Sequence, residues 1–208
     1  MNIGVVLNGT VYLQASLKPF ELDERKLEEK YGLSVRELDY NSKQDIEVWC
    51  DIIHNSYDDC HFTIDSARHF LKEHPVFENT QTFVFQHVNG GYLATVSIGQ
   101  YKTNPKVGGD FRIGVKNEAQ GKGLGRICIV YAFSKLAERG LKIGESAIAF
   151  KRKESLYLHY ATGFRPQLRN KYLAFKTTSL KRFNIILKFR QYLNYHSFVN
   201  SENKKFIK

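Results

Sequence analysis

A mixed α/β domain is the fold class this sequence predicts, and three observations predict it. Between Leu33 and Lys176, short runs of β-forming residues alternate with segments of helical period. A β-like run, Phe111-Arg112-Ile113-Gly114-Val115, leads through a polar link into Gln120-Gly121-Lys122-Gly123-Leu124-Gly125, where a helical pattern opens. Val88-Asn89-Gly90-Gly91 separates two strand-like runs and reads as a hairpin, so part of the sheet is antiparallel.

In chain order, Asn2 to Leu7 and Thr10 to Leu17 are apolar β-formers joined at Asn8-Gly9, a second hairpin signal. Glu21 to Tyr31 reads as a short charged helix closed by Gly32. These residues, 1–32, form an accessory that covers an edge or face of the sheet. Leu33 to Tyr40 is the first core strand. A helix follows over Lys43 to Ser56, with Ile46, Trp49, Ile53 and Tyr57 at helical spacing, and another over Asp65 to Lys72, ending near His74-Pro75. Strands are expected at Thr82–His87, Tyr92–Ile98, Phe111–Val115 and Lys142–Phe150. The helix after the glycine loop has Leu124, Ile127, Cys128, Tyr131 and Ala132 on its apolar face and Gly140 at its C-cap. Glu154 to Thr162 is a helix, and a last strand pair, Phe164–Leu168 and Tyr172–Lys176, turns at Arg169-Asn170-Lys171.

Three glycines in five residues let the backbone pass close to a bound group, and a helix start behind them presents unpaired N–H groups to an anion. That is the geometry of a phosphate cradle. A Walker A loop requires Gly-Lys-Ser/Thr, whereas Lys122 lies between glycines with no Ser or Thr after it. A dinucleotide-binding loop requires G-x-G-x-x-G, and Gly121-x-Gly123-x-Gly125 has a different period. Neither fits.

Gln120, Gly123 and Gly125 match the Gln/Arg-x-x-Gly-x-Gly/Ala loop of the GNAT acyltransferase superfamily. About forty residues on, Ser155-Leu-Tyr-Leu-His159-Tyr-Ala-Thr-Gly163-Phe164 resembles that superfamily's fourth helix and its Gly-Phe exit. His159 takes the position usually held by Tyr. The resemblance covers Phe111 to Phe164 through its motifs and extends over residues 33–178 with the flanking elements. It implies a GNAT-like twisted mixed sheet with helices on both faces, an acetyltransferase activity and acetyl-coenzyme A as cosubstrate.

The same resemblance implies roles for particular residues. Backbone amides of Gly121, Lys122, Gly123, Leu124 and Gly125 would hold the pyrophosphate, with Gln120 framing the loop and Lys122 and Arg126 adding charge. Main-chain groups of Ile113, Gly114 and Val115 would pair with the pantetheine like an added strand, and the strands bearing these two arms would splay apart. Ser155 opens the fourth helix as a further cofactor contact. Amide formation from a thioester needs a neutral amine, a stabilised oxyanion and a proton for the thiolate. His159 would supply that proton, with Tyr160 in reserve. Glu145 and Asp110 are the carboxylates placed to act as base, and Glu145, set among apolar residues, is preferred. Strict alternation puts Asp110 on the same face as Arg112, where a salt bridge explains it equally well. Trp49, Tyr57 and His61 fall on the acceptor side, Trp49 as core. Arg152 stands where relatives carry Asn, and with Lys151 and Lys153 it faces either the 3′-phosphate or water. No Cys or Ser sits in a nucleophile setting, so transfer is direct from acetyl-coenzyme A to an amine acceptor: a small molecule, amino acid or peptide.

Composition bounds the rest. The chain has 208 residues, 42% hydrophobic and 25% charged, as expected of a globular body. No apolar run has the length of a membrane span and Met1-Asn2-Ile3-Gly4 does not open a signal peptide, so the expected location is cytoplasmic with no membrane partner. Cys50, Cys60 and Cys128 form no paired framework, and the spacing of Cys50, His54, Cys60 and His61 matches no zinc pattern, so no metal is expected. The net charge of +10 lies at one end: residues 165–208 hold 11 Lys and Arg against Glu202 alone, which leaves 20 basic and 20 acidic residues elsewhere. Within the extension 179–208, Lys181 to Tyr195 interleaves basic residues with Phe183, Ile186, Phe189, Tyr192 and Leu193. That pattern suits a helix packed on its own domain or on a second copy in a homodimer. A second reading, less favoured, is a nucleic acid partner: an RNA- or ribosome-associated module that retains a coenzyme A fold.

Overall fold

The computed structural model describes residues 10–17, 24–149 and 152–166. The expected strand Asn2–Leu7, the segment Tyr172–Lys176 and the basic helix Lys181–Tyr195 lie outside the described residues. The chain divides into two compact units, one of residues 16–145 and one combining 1–15 with 146–208. This division cuts across the boundaries expected at residues 32 and 178.

The larger unit contains α1 (Glu24–Tyr31), β2 (Leu33–Glu37), α2 (Lys43–Ser56), α3 (Ile64–Lys72), β3 (Phe77–His87), β4 (Tyr92–Tyr101), β5 (Asn104–Val115) and α4 (Leu124–Glu138), and β6 (Ile143–Ala149) begins in it. Its sheet runs β2-β3-β4-β5-β6, and the β2–β3, β3–β4 and β4–β5 pairs are antiparallel. Ser42 caps α2 by accepting the Asp45 N–H, and Thr63 and Ser66 cap α3 reciprocally. Both faces of the sheet are covered. On β3, Val84 joins a core with Ile46, Trp49 and Ile53 of α2 and Leu71 of α3, while its neighbours Phe83 and Phe85 turn their rings onto Tyr131 of α4 at 5.3 and 5.6 Å. Successive side chains of one strand therefore reach helices on opposite sides.

The smaller unit contains β1 (Thr10–Ser16), the end of β6, α5 (Lys153–Ala161) and β7 (Arg165–Pro166). β1 pairs antiparallel with β7, Leu13 opposite Pro166 and Gln14 opposite Arg165. The strand expected to belong to a terminal accessory thus pairs with a segment about 150 residues away. No local signal encodes such a pairing.

Three strands exceed their expected lengths. β3 starts at Phe77 rather than Thr82, running through a bulge where Asn79 takes φ 49°, a left-handed conformation that Asn tolerates. β4 and β5 continue past Ile98 and begin before Phe111, joined across Lys102-Thr103 with Tyr101 opposite Asn104. Gly99, Gly108 and Gly109 fall outside the apolar runs expected as strands, yet all three lie in strands with no room for a side chain. A Cβ on Gly99 would come within 2.7 Å of Phe77 Cβ, one on Gly108 within 2.8 Å of Leu136, and one on Gly109 within 2.7 Å of the Glu145 carbonyl oxygen. These are close approaches.

Gly109→Ala is expected to lower the unfolding free energy by about 2 kcal/mol or more, because a main-chain oxygen cannot turn aside. Gly91→Ala, where a Cβ meets nothing within 4 Å, should be near neutral. Urea unfolding of the two variants checks the contrast.

Candidate functional site

The glycine loop follows β5 through a 3₁₀ turn at Asn117–Ala119. Gln120 braces it, its Nε2 donating to the Val115 carbonyl and to Asn117 Oδ1, both at 3.0 Å. Gly121 and Gly123 have φ of 74° and 80°, and Gly123 is the N-cap of α4 with no side-chain cap. Among the described residues no acceptor engages the N–H groups of Gly121 to Gly125. Gly121, Lys122 and Gly123 are exposed, as is Arg126, whereas Leu124 is buried under the helix. The loop therefore presents a row of unsatisfied donors at the positive end of a fifteen-residue helix.

Ahead of the loop, β5 is irregular at one decisive point. Arg112 is opposite Ser97 but Ile98 is opposite Asp110, so Phe111 is an extra residue, a β-bulge. Before the bulge an even-numbered residue, Gly108, faces Leu136 of α4; after it another, Gly114, faces Ile53 and Ser56 of α2. The bulge transfers Arg112 to the α2–α3 side and leaves Asp110, by register, on the α4 side. This corrects the expected Asp110–Arg112 pairing: Arg112 makes no ion pair among the described residues.

Along the edge expected to meet pantetheine, two carbonyls already have one donor each. Tyr57 Oη donates to Ile113 O and Gln120 to Val115 O. Gly114 between them carries no side chain because α2 lies against it, a Cβ there falling 2.9 Å from Ile53 Cδ1.

An aromatic cluster fills the space between the bulge and the two helices. Phe111 packs on Phe70, His74 and Phe77 at 5.6, 4.4 and 5.3 Å, and Trp49, wholly buried, meets Phe62 edge-on at 5.0 Å. Trp49 is core, Tyr57 is half-buried, and His61 is exposed. His54 Nε2 accepts the Phe62 N–H at 3.0 Å, which assigns that nitrogen to holding the loop between α2 and α3. Burial first, then Lys102 and Arg112, push the His74 imidazole down to about 4, so it is neutral at pH 7.

In the smaller unit, Gly163 has φ 99°, and the Phe164 N–H returns to the His159 carbonyl at 3.0 Å. The Gly-Phe motif is thus the terminator of α5. His159 is buried, with the Phe164 ring edge-on at 5.3 Å. Its Nδ1 lies 2.8 Å from Ser155 O, which only accepts, so Nδ1 carries hydrogen. Nε2 lies 2.9 Å from Ser146 Oγ. Ser146, wholly buried, is a partner the sequence did not single out. Tyr160 stacks beneath the Arg165 guanidinium, 4.0 Å from the ring centroid, and Glu145 is buried in β6.

Neither a family model nor a curated protein matches the sequence. Solved structures do match in three dimensions. A GCN5-related N-acetyltransferase from Sphaerobacter thermophilus aligns with a TM-score of 0.56 at 12% identity, over 76% of this chain and 48% of that one. A GNAT-family protein from Novosphingobium aromaticivorans gives 0.52 at 14%, over 77% and 64%, and a tandem GNAT protein of the clavulanic acid pathway 0.52 at 14%, over 76% and 50%. The fold is that of the GNAT superfamily. The chain spans between about half and two thirds of the length of these proteins. Within the GNAT fold, the loop Gln120–Gly125 joins the strand β5 to the helix α4, and Gly163-Phe164 ends α5.

The pH dependence of stability follows from His74. Its folded-state pKa lies below the unfolded value, so the unfolded chain binds more protons between about pH 4 and 6.5. Stability from this residue is complete above that window and is lost as pH falls through it, by on the order of 2 kcal/mol. His74→Phe should flatten that part of the stability–pH curve, measured by urea midpoints at half-unit steps.

Proposed function

We propose that this chain is an N-acetyltransferase that moves the acetyl group of acetyl-coenzyme A directly to an amine. One observation carries the reading: the open loop Gly121–Gly125, with its N–H groups unengaged at the start of α4. A diphosphate fits such a donor set, and glycine at 121 and 123 supplies the left-handed backbone that aims the amides outward. Acetyl-coenzyme A supplies the activated acyl group as a thioester. The remaining roles belong to the chain.

Lys122 and Arg126 add positive charge beside the loop, and Ser155 is a further contact from α5. The second lone pairs at Ile113 and Val115 serve the amides of the pantetheine arm. His159 is assigned to supply the proton that the departing sulfur requires, and because its Nδ1–H is held by Ser155 O, that proton leaves from the Nε2 side. Its Nε2 is bound to Ser146 Oγ, so we assign the His159–Ser146 pair as the proton-bearing group, with Tyr160 in reserve. Glu145 is the preferred base for the incoming amine. The GNAT fold of the structural neighbours supports the reaction class; the acceptor and these residue roles rest on the chemistry of the groups named.

Titration calorimetry with acetyl-coenzyme A tests the loop. The wild-type chain should bind, and Gly123→Val, which forces a β-branched residue to φ near 80°, should weaken binding about tenfold or more. A folded chain that does not bind acetyl-coenzyme A overturns the assignment. His159→Phe should lower turnover with little change in cofactor affinity, since Phe cannot hold a proton. Unchanged turnover would place the proton donor elsewhere.

A further inference from the structure

Arg112 is a cation whose surroundings are built and whose charge is unmatched among the described residues. Its Nη1 reaches only Cys60 Sγ, a weak acceptor, at 3.5 Å, and its Nε is buried without a hydrogen-bond partner. The guanidinium lies over the rings of Tyr57, Phe62 and Phe70, 5.6, 5.8 and 5.4 Å from their centroids. Among the described residues no carboxylate pairs with it. Among the described residues, one of its five donors on a rigid fork is used, and weakly.

Tyr57 caps the end of α2, Phe62 lies in the loop that follows and Phe70 in α3, and the bulge at Phe111 brings Arg112 to meet them. Tyr57 links this cage to the adjacent strand edge: its ring lies against the guanidinium while its hydroxyl donates to Ile113 O. A group held by Arg112 is therefore one residue along β5 from a carbonyl assigned to the acyl carrier. The flat fork matches a carboxylate in two parallel hydrogen bonds, and the rings around it suit an apolar stem.

We propose that Arg112, caged by Tyr57, Phe62 and Phe70, anchors a carboxylate of the acceptor, so that the amine acetylated is that of an amino acid with a free carboxylate. This rests on the acetyltransferase reading and narrows it. The cage sets specificity by leaving the guanidinium unpaired when an acceptor lacks the acid group.

The test is a thiol-release assay at saturating acetyl-coenzyme A with matched acceptors: amino acids, their carboxamides and the corresponding decarboxylated amines. The free acids should exceed the other two by about tenfold or more in kcat/KM. Arg112→Met should erase that preference through KM, leaving kcat within about threefold and the calorimetric affinity for acetyl-coenzyme A unchanged. Arg112→Lys should recover part of it. A preference that survives in Arg112→Met, or a wild type indifferent to the carboxylate while still binding acetyl-coenzyme A, overturns the anchor and spares the acetyltransferase reading. Weakened acetyl-coenzyme A binding in Arg112→Met overturns it too, by assigning the cation to the cofactor. Failure of the folded wild type to bind acetyl-coenzyme A removes both.

Discussion

One extra residue in β5 determines which side chains meet on the α2–α3 side of the sheet. Without the bulge at Phe111, period-two alternation would send Arg112 with Gly108 toward α4, and Gly114 could not lie against α2. With it, Phe111 and Arg112 both reach Phe70, one through its ring and one through its guanidinium. The strand thereby offers a polar edge, a packed aromatic and a cation within a few residues, and it runs from there into the glycine loop.

Electrostatics in that cluster is one-sided. Arg112 is half-buried with its Nε sealed from solvent, and contacts of its guanidinium with aromatic faces return about 0.5–2 kcal/mol. His74 adds no second positive charge, because burial and the nearby cations Lys102 and Arg112 keep it neutral. Its Nδ1 is spent on the Val76 N–H at 3.2 Å. The cluster tolerates its cation by stacking rather than by pairing. Such an arrangement is more easily understood as a recognition surface than as a source of stability.

Glycine serves two separate ends here. In the loop, residues 121 and 123 have open space around a notional Cβ and a backbone that other residues resist. In the sheet, residues 99, 108, 109 and 114 have the reverse: ordinary strand placement and no room for a side chain. The apolar runs stop short of residues 99, 108 and 109, whereas Gly114 lies inside an expected strand. Close packing holds glycine in these strands, which is why β4 and β5 are longer than their apolar runs suggest.

Local chemistry was legible in the sequence wherever a residue's own preferences decide the outcome. Gly140 and the Gly163-Phe164 exit mark helix ends, α2 was readable over about Lys43 to Ser56, and the glycine loop could be recognised as an open row of donors. Tertiary structure alone decided the features that depend on a partner distant in sequence. These are the pairing of Thr10–Ser16 with Arg165–Pro166, the bond from His159 to Ser146, and the bulge that separates Asp110 from Arg112. The reason is physical: caps and turns are satisfied within a few residues, whereas strand register and the company of a buried charge are settled by whichever surfaces meet when the sheet is assembled.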